Sequence, residues 1–488
     1  MRKLRLTPKG YVADSDKICS PAETAARARA AFGRFGSDIL AETRRIDTCR
    51  LGIPVYLSVC GEKARSIMPT RKQMGKGASP EQAEASALME LAERYSFFHF
   101  WNSPEAFEEL TWSEAVAKWS GQVMPIEEIV RSVHDSLSPE AAAGIMDLVP
   151  WRFVRAFNVT RDREEYVPLD WFKKINEFNG SSAGNGLEES ILQGACELVE
   201  RHVCAVVDRN WPVTPTISQD TIEDEVLCDL LDAFQREGIF VLLKDFSLGM
   251  SVPTVAALAY DPSTFPADSE IVFTAGTATS PAKAAIRALT EIAQLAGDFE
   301  SKSNYEASGL PKFKSPAEFA RLLEGPEVLL ADLPGIERPD ILEELTVLAR
   351  DIGKGGCSLY TVDITHPELG LAANYNFVPG FLFRERTPRA SVGLFVGRIL
   401  AEESDPVRAA LGLETLAEHY PGAPFLPFFQ ALLELRTGDE AAAARLFAQA
   451  EPLQEDSEDK ALAAFYQAHA LTRMEKWGEA VPHLDRAV

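Results

Sequence analysis

Apolar and polar positions follow two different rhythms along the 488 residues. Up to about residue 390, short β-rich runs alternate with amphipathic helical stretches. The runs at 55–59, 239–243, 254–259, 271–274 and 358–364 are rich in Val, Ile, Phe and Tyr, and several are bounded by Gly or Pro, as strands are. From about residue 402 the strand signal stops and alanine-rich helical periodicity takes over. The pattern predicts an α/β (α+β) domain over 1–395, built from repeated strand–helix units, and an all-α domain over 402–488. Thr387-Pro388 and Asp405-Pro406 mark the change, because the residue before a proline resists helix. The tail carries a weak repeat. Gln430-Ala431 recurs as Gln467-Ala468, and Ala450 as Ala487, each 37 residues on. That offset is close to the ~34-residue unit of a tetratricopeptide array, so the tail is expected to be tetratricopeptide-like. Its second unit stops at Val488 in mid-repeat.

A second repeat lies in the larger region. Gly75-Lys76-Gly77-Ala78-Ser79-Pro80 precedes EQAEASALMELAERY, Gly184-Asn185-Gly186 precedes LEESILQGACELVERH, and Ala275-Gly276-Thr277-Ala278-Thr279-Ser280-Pro281 precedes AKAAIRALTEIAQL. Ser79, Gly186 and Ser280 each stand 11 residues before a glutamate: Glu90, Glu197 and Glu291. Ser-Pro is an N-cap followed by proline at the first helical position. The glycines are expected to let backbone approach a ligand, and helix starts favour anions such as phosphates. Glu90/Glu93 and Glu197/Glu200 form two ExxER copies, and residues at i and i+3 share a helix face. Two carboxylates together repel unless a cation lies between them, and carboxylates plus substrate phosphates suit Mg²⁺. The third helix offers Arg287, Glu291 and Gln294 on one face instead. The layout predicts three helices aimed at one metal-bound polyphosphate.

Composition narrows the classes. Apolar residues at 46% and charged residues at 25% describe a globular chain and exclude extended disorder. A net charge of −24 excludes bulk attraction to nucleic acid or an anionic membrane. Seven scattered cysteines without a CxxC pair argue against a zinc site or disulfide framework and for a cytoplasmic location. The basic start, MRKLRLTPKGY, is not followed by the apolar stretch of a signal peptide, and no apolar run reaches the ~18 residues of a membrane span. No P-loop and no kinase HRD or DFG set occurs. The aromatic run at 97–101 reads as core, and Cys357 has no base that the sequence can place beside it.

GKGA-x7-SALxExxER at 75–94, VPLDWF at 167–172, NGSSAGNGLEES-x6-ELVER at 179–201, R-x3-E-x2-Q at 287–294 and Val378-Pro379-Gly380 together resemble the YcaO family. The likeness runs from about Leu6 to Pro379 and includes stand-alone members linked to ribosomal protein modification. It implies an ATP-binding fold distinct from kinases, with ATP held over Mg²⁺. Carried over by position, Glu90, Glu93, Glu197 and Glu200 would hold Mg²⁺. Lys9, Ser86, Asn185, Glu189, Arg201, Arg287, Glu291 and Gln294 would surround the nucleotide, with Arg287 also catalytic and Thr24 standing where the family has a small hydroxyl. The implied reaction is phosphorylation of a peptide backbone amide, completed as an azoline, as a thioamide, or in support of another enzyme. The implied partners are a peptide or protein substrate, and a protein partner or dimer contact at the C-terminal repeats. The alternative from another class is a nucleotide-binding scaffold whose helical repeats recruit a partner.

Overall fold

A computed structural model describes residues 3–47, 50–267, 269–296, 310–384 and 389–487. The Thr387-Pro388 step and Val488, named above, and Cys49, one of the seven cysteines, lie outside the described residues. No described helix is long and apolar enough to cross a membrane.

The chain forms two compact units. One comprises Met1–Phe107, Val154–Glu165 and Ile175–Thr387, the other Glu108–Phe153, Tyr166–Lys174 and Pro388–Val488. In the first unit each signature helix follows the edge strand of a different sheet. Lys72–Lys76 ends a three-stranded sheet with Leu40–Arg45 and Val55–Cys60, and leads into the helix Pro80–Trp101. Ser181–Gly184 ends a sheet that includes Tyr360–Asp363 and Ala372–Phe377, and leads into Leu187–Asn210. Val272–Thr277 ends the sheet of Thr254–Tyr260, Phe240–Asp245, Thr216–Ser218 and Glu327–Leu329, and leads into Pro281–Ala296. Four of the five strands expected from the sequence thus begin within one residue of an observed strand, and the fifth, 358–364, brackets Tyr360–Asp363.

The helix starts are encoded locally. Ser79 Oγ accepts from Gln82 N ahead of Pro80. The first full helical bond is the same in all three: Ala83 N to Ser79 O, Ser190 N to Gly186 O and Ala284 N to Ser280 O, each at 3.0 Å. Two of the strand glycines serve another purpose than the one expected. A Cβ on Gly75 would stand 2.0 Å from Ala87 N, and one on Gly276 would stand 2.4 Å from Ala284 O. Both let a strand lie directly on the helix that follows it, rather than on a ligand. The apolar faces of the helices, with Leu88 and Leu91, Leu198 and Val199, and Leu289 and Ile292, are buried in the unit's core.

The second unit is helical at its C-terminal end. Val392–Glu402, Pro406–His419, Phe425–Thr437, Glu440–Ala450, Ser457–Arg473 and Trp477–Ala487 succeed one another with short connections. Side chains from the middle of the chain complete it. The Asp135 carboxylate accepts from Val392 N at 2.8 Å and from the Tyr420 hydroxyl at 2.6 Å, and the Trp171 ring meets Phe395 edge-on at 5.5 Å. The VPLDWF motif is therefore packing: Val167, Leu169, Trp171 and Phe172 have no exposed surface.

Candidate active site

The three signature helices converge on one cavity of about 400 Å³ in the first unit. Of the residues singled out from the sequence, Ser86, Glu90, Glu93, Asn185, Glu189, Glu197, Glu200, Arg201, Arg287, Glu291 and Gln294 all line it, as does Thr24. Lys9 does not. Its ammonium is buried between Asp16, at 2.8 Å, and Glu344, at 2.6 Å. It reaches the cavity only through Asp16, which is itself a lining residue.

The carboxylates share the cavity with Arg94, Arg201 and Lys76, whose charges offset burial only in part. Burial raises Glu90, Glu93 and Glu197 above the usual carboxylate range. Glu93 reaches about 8: burial dominates, Arg94 pulls back, and the Glu197 and Glu90 charges add. Their partners come from backbone and neighbours. Glu197 accepts from Gly180 N at 3.3 Å, Glu200 from Thr277 N at 3.0 Å, and Glu93 from the Ser181 hydroxyl at 2.6 Å. Arg201 lies 3.9 Å from Glu197. Among the described residues no three His, Cys, Asp or Glu side chains already converge as a metal-ligand group. Four carboxylates on one cavity, three of them with proton affinity raised chiefly by burial, fit a hard divalent cation, and Mg²⁺ in particular, which takes a few carboxylates and completes its shell with phosphate and water. Burial pushes the Cys196 thiol beside them up to about 12, so it adds no charge to the set at neutral pH.

The rim suits an anion. Asn185 N donates to Glu189 at 3.0 Å, and its side-chain amide donates to the Thr24 hydroxyl at 2.9 Å, which fixes the Gly184–Gly186 approach. Glu189 also accepts from Ile18 N at 2.7 Å, so the N-terminal segment is tied across this edge. Gln193, with its amide oxygen turned to Arg287, accepts from both guanidinium nitrogens at 3.0 and 3.3 Å. Arg287 Nε is buried without a hydrogen-bond partner among the described residues, a donor that a phosphate oxygen would satisfy.

Several cavity residues were not singled out from the sequence. Lys76, pushed down to about 7 by burial and by the Arg287 charge, pairs with Glu291. Lys283, in the first turn of the third helix, pairs with Asp16 at 2.8 Å. Arg94, at the end of the first ExxER, donates to the Ser181 hydroxyl at 3.1 Å. Lys76 and Arg94 stand inside the very motifs that drew attention to their neighbours. That was the available signal; what the sequence lacked was their partners, Glu291 and Ser181, more than 80 residues away.

The profile of the family described as YcaO cyclodehydratase, ATP- and Mg²⁺-binding, matches residues 74–382. An uncharacterized protein of Methanothermobacter thermautotrophicus is 28% identical over 292 residues, 56% of this chain and 69% of that one. An uncharacterized protein in the tfuA 3′ region of Rhizobium leguminosarum bv. trifolii is 24% identical over 390 residues, 75% of this chain and 88% of that one. The ribosomal protein S12 methylthiotransferase accessory factor YcaO of Escherichia coli is 27% identical over 217 residues, 39% of this chain and 35% of that one. Among solved structures, a heterocyclase in complex with substrate and cofactor superposes with a TM-score of 0.61 at 20% identity, over 78% of this chain and 54% of that one. The YcaO from Methanopyrus kandleri bound with AMPPCP and Mg²⁺ superposes with a TM-score of 0.54 at 22% identity, over 77% of this chain and 94% of that one. This chain thus spans about half the heterocyclase and about a third of the E. coli factor. At these identities the two superpositions establish the fold. With the family profile covering well over half the sequence, the chain belongs to the YcaO cyclodehydratase family of ATP- and Mg²⁺-binding enzymes.

Proposed function

We propose that this chain uses ATP and Mg²⁺ to phosphorylate a backbone amide oxygen of a peptide or protein substrate. The observation that carries the reading is the convergence of Glu90, Glu93, Glu197 and Glu200 with Arg201 and Arg287 on one cavity. The γ-phosphoryl group would pass to the amide oxygen as its bond to the β-phosphate oxygen breaks. The activated amide then accepts a nucleophile and loses phosphate. Bound Mg²⁺ would offset the negative charge of the triphosphate. The four glutamates would hold that cation. Arg287 would stabilise the charge on the transferring group, and because such contacts strengthen in the transition state it should affect turnover more than binding. Ser86, Asn185, Glu189, Arg201, Glu291 and Gln294 would surround the nucleotide, and Lys9 would act from behind Asp16.

The helical end of the second unit would be a tetratricopeptide-like surface for a protein partner or a second copy of the chain. Two features support this. Phe425–Thr437 with Glu440–Ala450, and Ser457–Arg473 with Trp477–Ala487, form successive helix pairs. Leu462, Phe465, Trp477 and Val481 stay exposed on the second pair. Seven scattered cysteines without a CxxC pair suit a cytoplasmic setting.

The test is an ATP-consumption assay of wild type and Arg287→Ala, with and without capped peptides carrying ¹⁸O in one amide. Slow hydrolysis alone, stimulation by peptide and ¹⁸O in the released phosphate are expected. Fast hydrolysis indifferent to peptide contradicts amide activation. Tight ATP binding with no turnover under any condition favours the scaffold alternative.

A further inference from the structure

One short turn, 176–181, joins the metal-side carboxylates to an exposed aromatic ring. Its conformation is closely constrained. Asn179 N donates to Asn176 O at 2.9 Å and Ser181 N to Phe178 O at 3.0 Å. Glu177 and Gly180 take left-handed backbone angles, φ 51° and 87°. Gly180 cannot be replaced cheaply, because a Cβ there would stand 2.2 Å from Asn376 O. The Tyr375 hydroxyl and Asn376 N hold the Glu177 and Gly180 carbonyls, at 3.2 and 2.9 Å. The inward side of the turn supplies Gly180 N to Glu197 and the Ser181 hydroxyl to Glu93.

The tip of the same turn is Phe178, 38% exposed. It is packed on part of its surface only. Phe97 and Phe98 lie 5.3 and 5.6 Å from its centroid, and the Arg94 guanidinium lies over its ring at 5.0 Å. Arg94 is shared: it lines the cavity, pairs with Glu93 at 3.3 Å and caps Phe178. A large apolar side chain left partly in water has burial still to gain from a ligand. Here that ring is held outward by a turn anchored to two of the four cavity glutamates. The aromatic run at 97–101 is thus core on one side, where Phe97 and Trp101 are buried, and ledge on the other, where Phe98 is half-buried beside Phe178.

The geometry points to Phe178, Phe98 and Arg94 as the docking ledge for the peptide whose amide is activated, taking an apolar side chain next to the reacting amide. The assignment rests on the amide-activation reading. An acceptor must reach the phosphate end of the cavity, and the phosphate end is where the carboxylates are. Arg94 and Ser181 form the seam between those carboxylates and the ring. A peptide laid on the ledge would pack its side chain on Phe178 and offer a carbonyl to Arg94, whose donors suit a peptide oxygen.

The test uses the full chain with Mg²⁺ and a non-hydrolysable ATP analogue. The probes are fluorescein-labelled acetyl-Gly-X-Gly-Gly peptides, with X as Phe, Leu, Ser or Glu, and binding is read by anisotropy. The Phe and Leu peptides should bind at least 5-fold tighter than the Ser and Glu peptides. Phe178→Ala should weaken the Phe peptide at least 5-fold and erase the preference, while ATP affinity and peptide-free ATP hydrolysis stay unchanged. Phe178→Leu should retain part of the preference. It also replaces the alanine variant if that protein does not fold. Equal binding of all four peptides to wild type overturns the ledge, as does a Phe178 variant with undiminished preference. A loss of ATP affinity in a folded variant assigns the ring to the nucleotide and also overturns it. The ¹⁸O assay stays separate: if label transfer occurs and Phe178 is indifferent, the ledge alone falls, and if no label moves, amide activation falls and the ledge with it.

Discussion

Lys76 and Glu291 form an ion pair that joins the strand leading into the first signature helix to the middle of the third. Both side chains line the cavity, about one-fifth exposed. Even beside Glu291, burial and the Arg287 charge push Lys76 down to about 7. The pair links the first signature motif to the third helix by charge, inside the cavity proposed above for the nucleotide.

Removing either partner leaves a charge in a poorly solvated place, which costs roughly 3 kcal/mol, while removing both costs far less. Lys76→Met and Glu291→Gln should each lower stability in denaturant titrations, and the double variant should be more stable than either. A coupling of about 1–3 kcal/mol is expected from the cycle. Strict additivity would mean the pair does not form in solution. Lys76→Met should also weaken ATP binding about 10-fold or more, and the double variant should not restore it.

The glutamates make an opposite-sign prediction. Glu93→Gln or Glu197→Gln should abolish Mg²⁺-dependent ATP binding and raise the melting temperature of the metal-free protein. With Glu93 at about 8, folding at pH 7 takes up a proton that the unfolded chain, near 4.5, does not hold. That uptake costs about 2–3 kcal/mol, and an amide avoids it. Calorimetric titration and thermal melts of each variant check both halves. Unchanged ATP affinity would overturn the metal role.

Acid should destabilise the first unit through His366. The ring is buried between Tyr95 and His99, 5.2 and 4.1 Å away, and accepts from Leu369 N. Burial, then the His99 charge, push it down to about 4, with Glu368 pulling up and Lys63 down. The unfolded chain binds a proton near 6.5 and the folded one only near 4. Stability is therefore full above pH 6.5 and falls as pH drops toward 4, by up to about 3 kcal/mol. His366→Gln should flatten urea midpoints measured between pH 7.5 and 4.5. A variant with the wild-type slope would refute the assignment.

In the second unit, Tyr420→Phe removes the hydroxyl that donates to Asp135 and accepts from Gly393 N, and leaves Val392 N and Ser136 N donating to the carboxylate. A hydrogen bond to a charged group contributes about 1.5–3 kcal/mol. The second transition in a melt should fall by roughly 3–8 °C. ATP binding, proposed for the cavity of the first unit, should not change.

The parts of the site legible in the sequence were those that a short stretch of chain encodes. A Ser-Pro cap, a helix long enough to carry it, and two carboxylates three residues apart need nothing beyond local backbone geometry, so the 11-residue frame from Ser79 to Glu90 or from Gly186 to Glu197 can be read without a fold. The convergence of three such helices was legible because the frame repeats. The roles of the strand glycines were not. Gly75 meets Ala87 and Gly276 meets Ala284, and that close approach exists only once each strand lies on its helix.

Tertiary structure decided how each charge is answered. Lys76 finds Glu291, Lys9 finds Glu344 and Asp16, and Glu197 finds Gly180 N, each across a separation that periodicity cannot bridge. It also decided that Asp135 and Trp171 belong with helices that begin after residue 390. The sequence by itself determined which groups sit together on each helix, because neighbours at i+3 and i+4 are fixed by the helix alone. Which helices meet, and which buried charge is left for a metal or a phosphate to complete, was settled only by packing, since the desolvation that shifts Glu93 and Lys76 exists only in the folded chain.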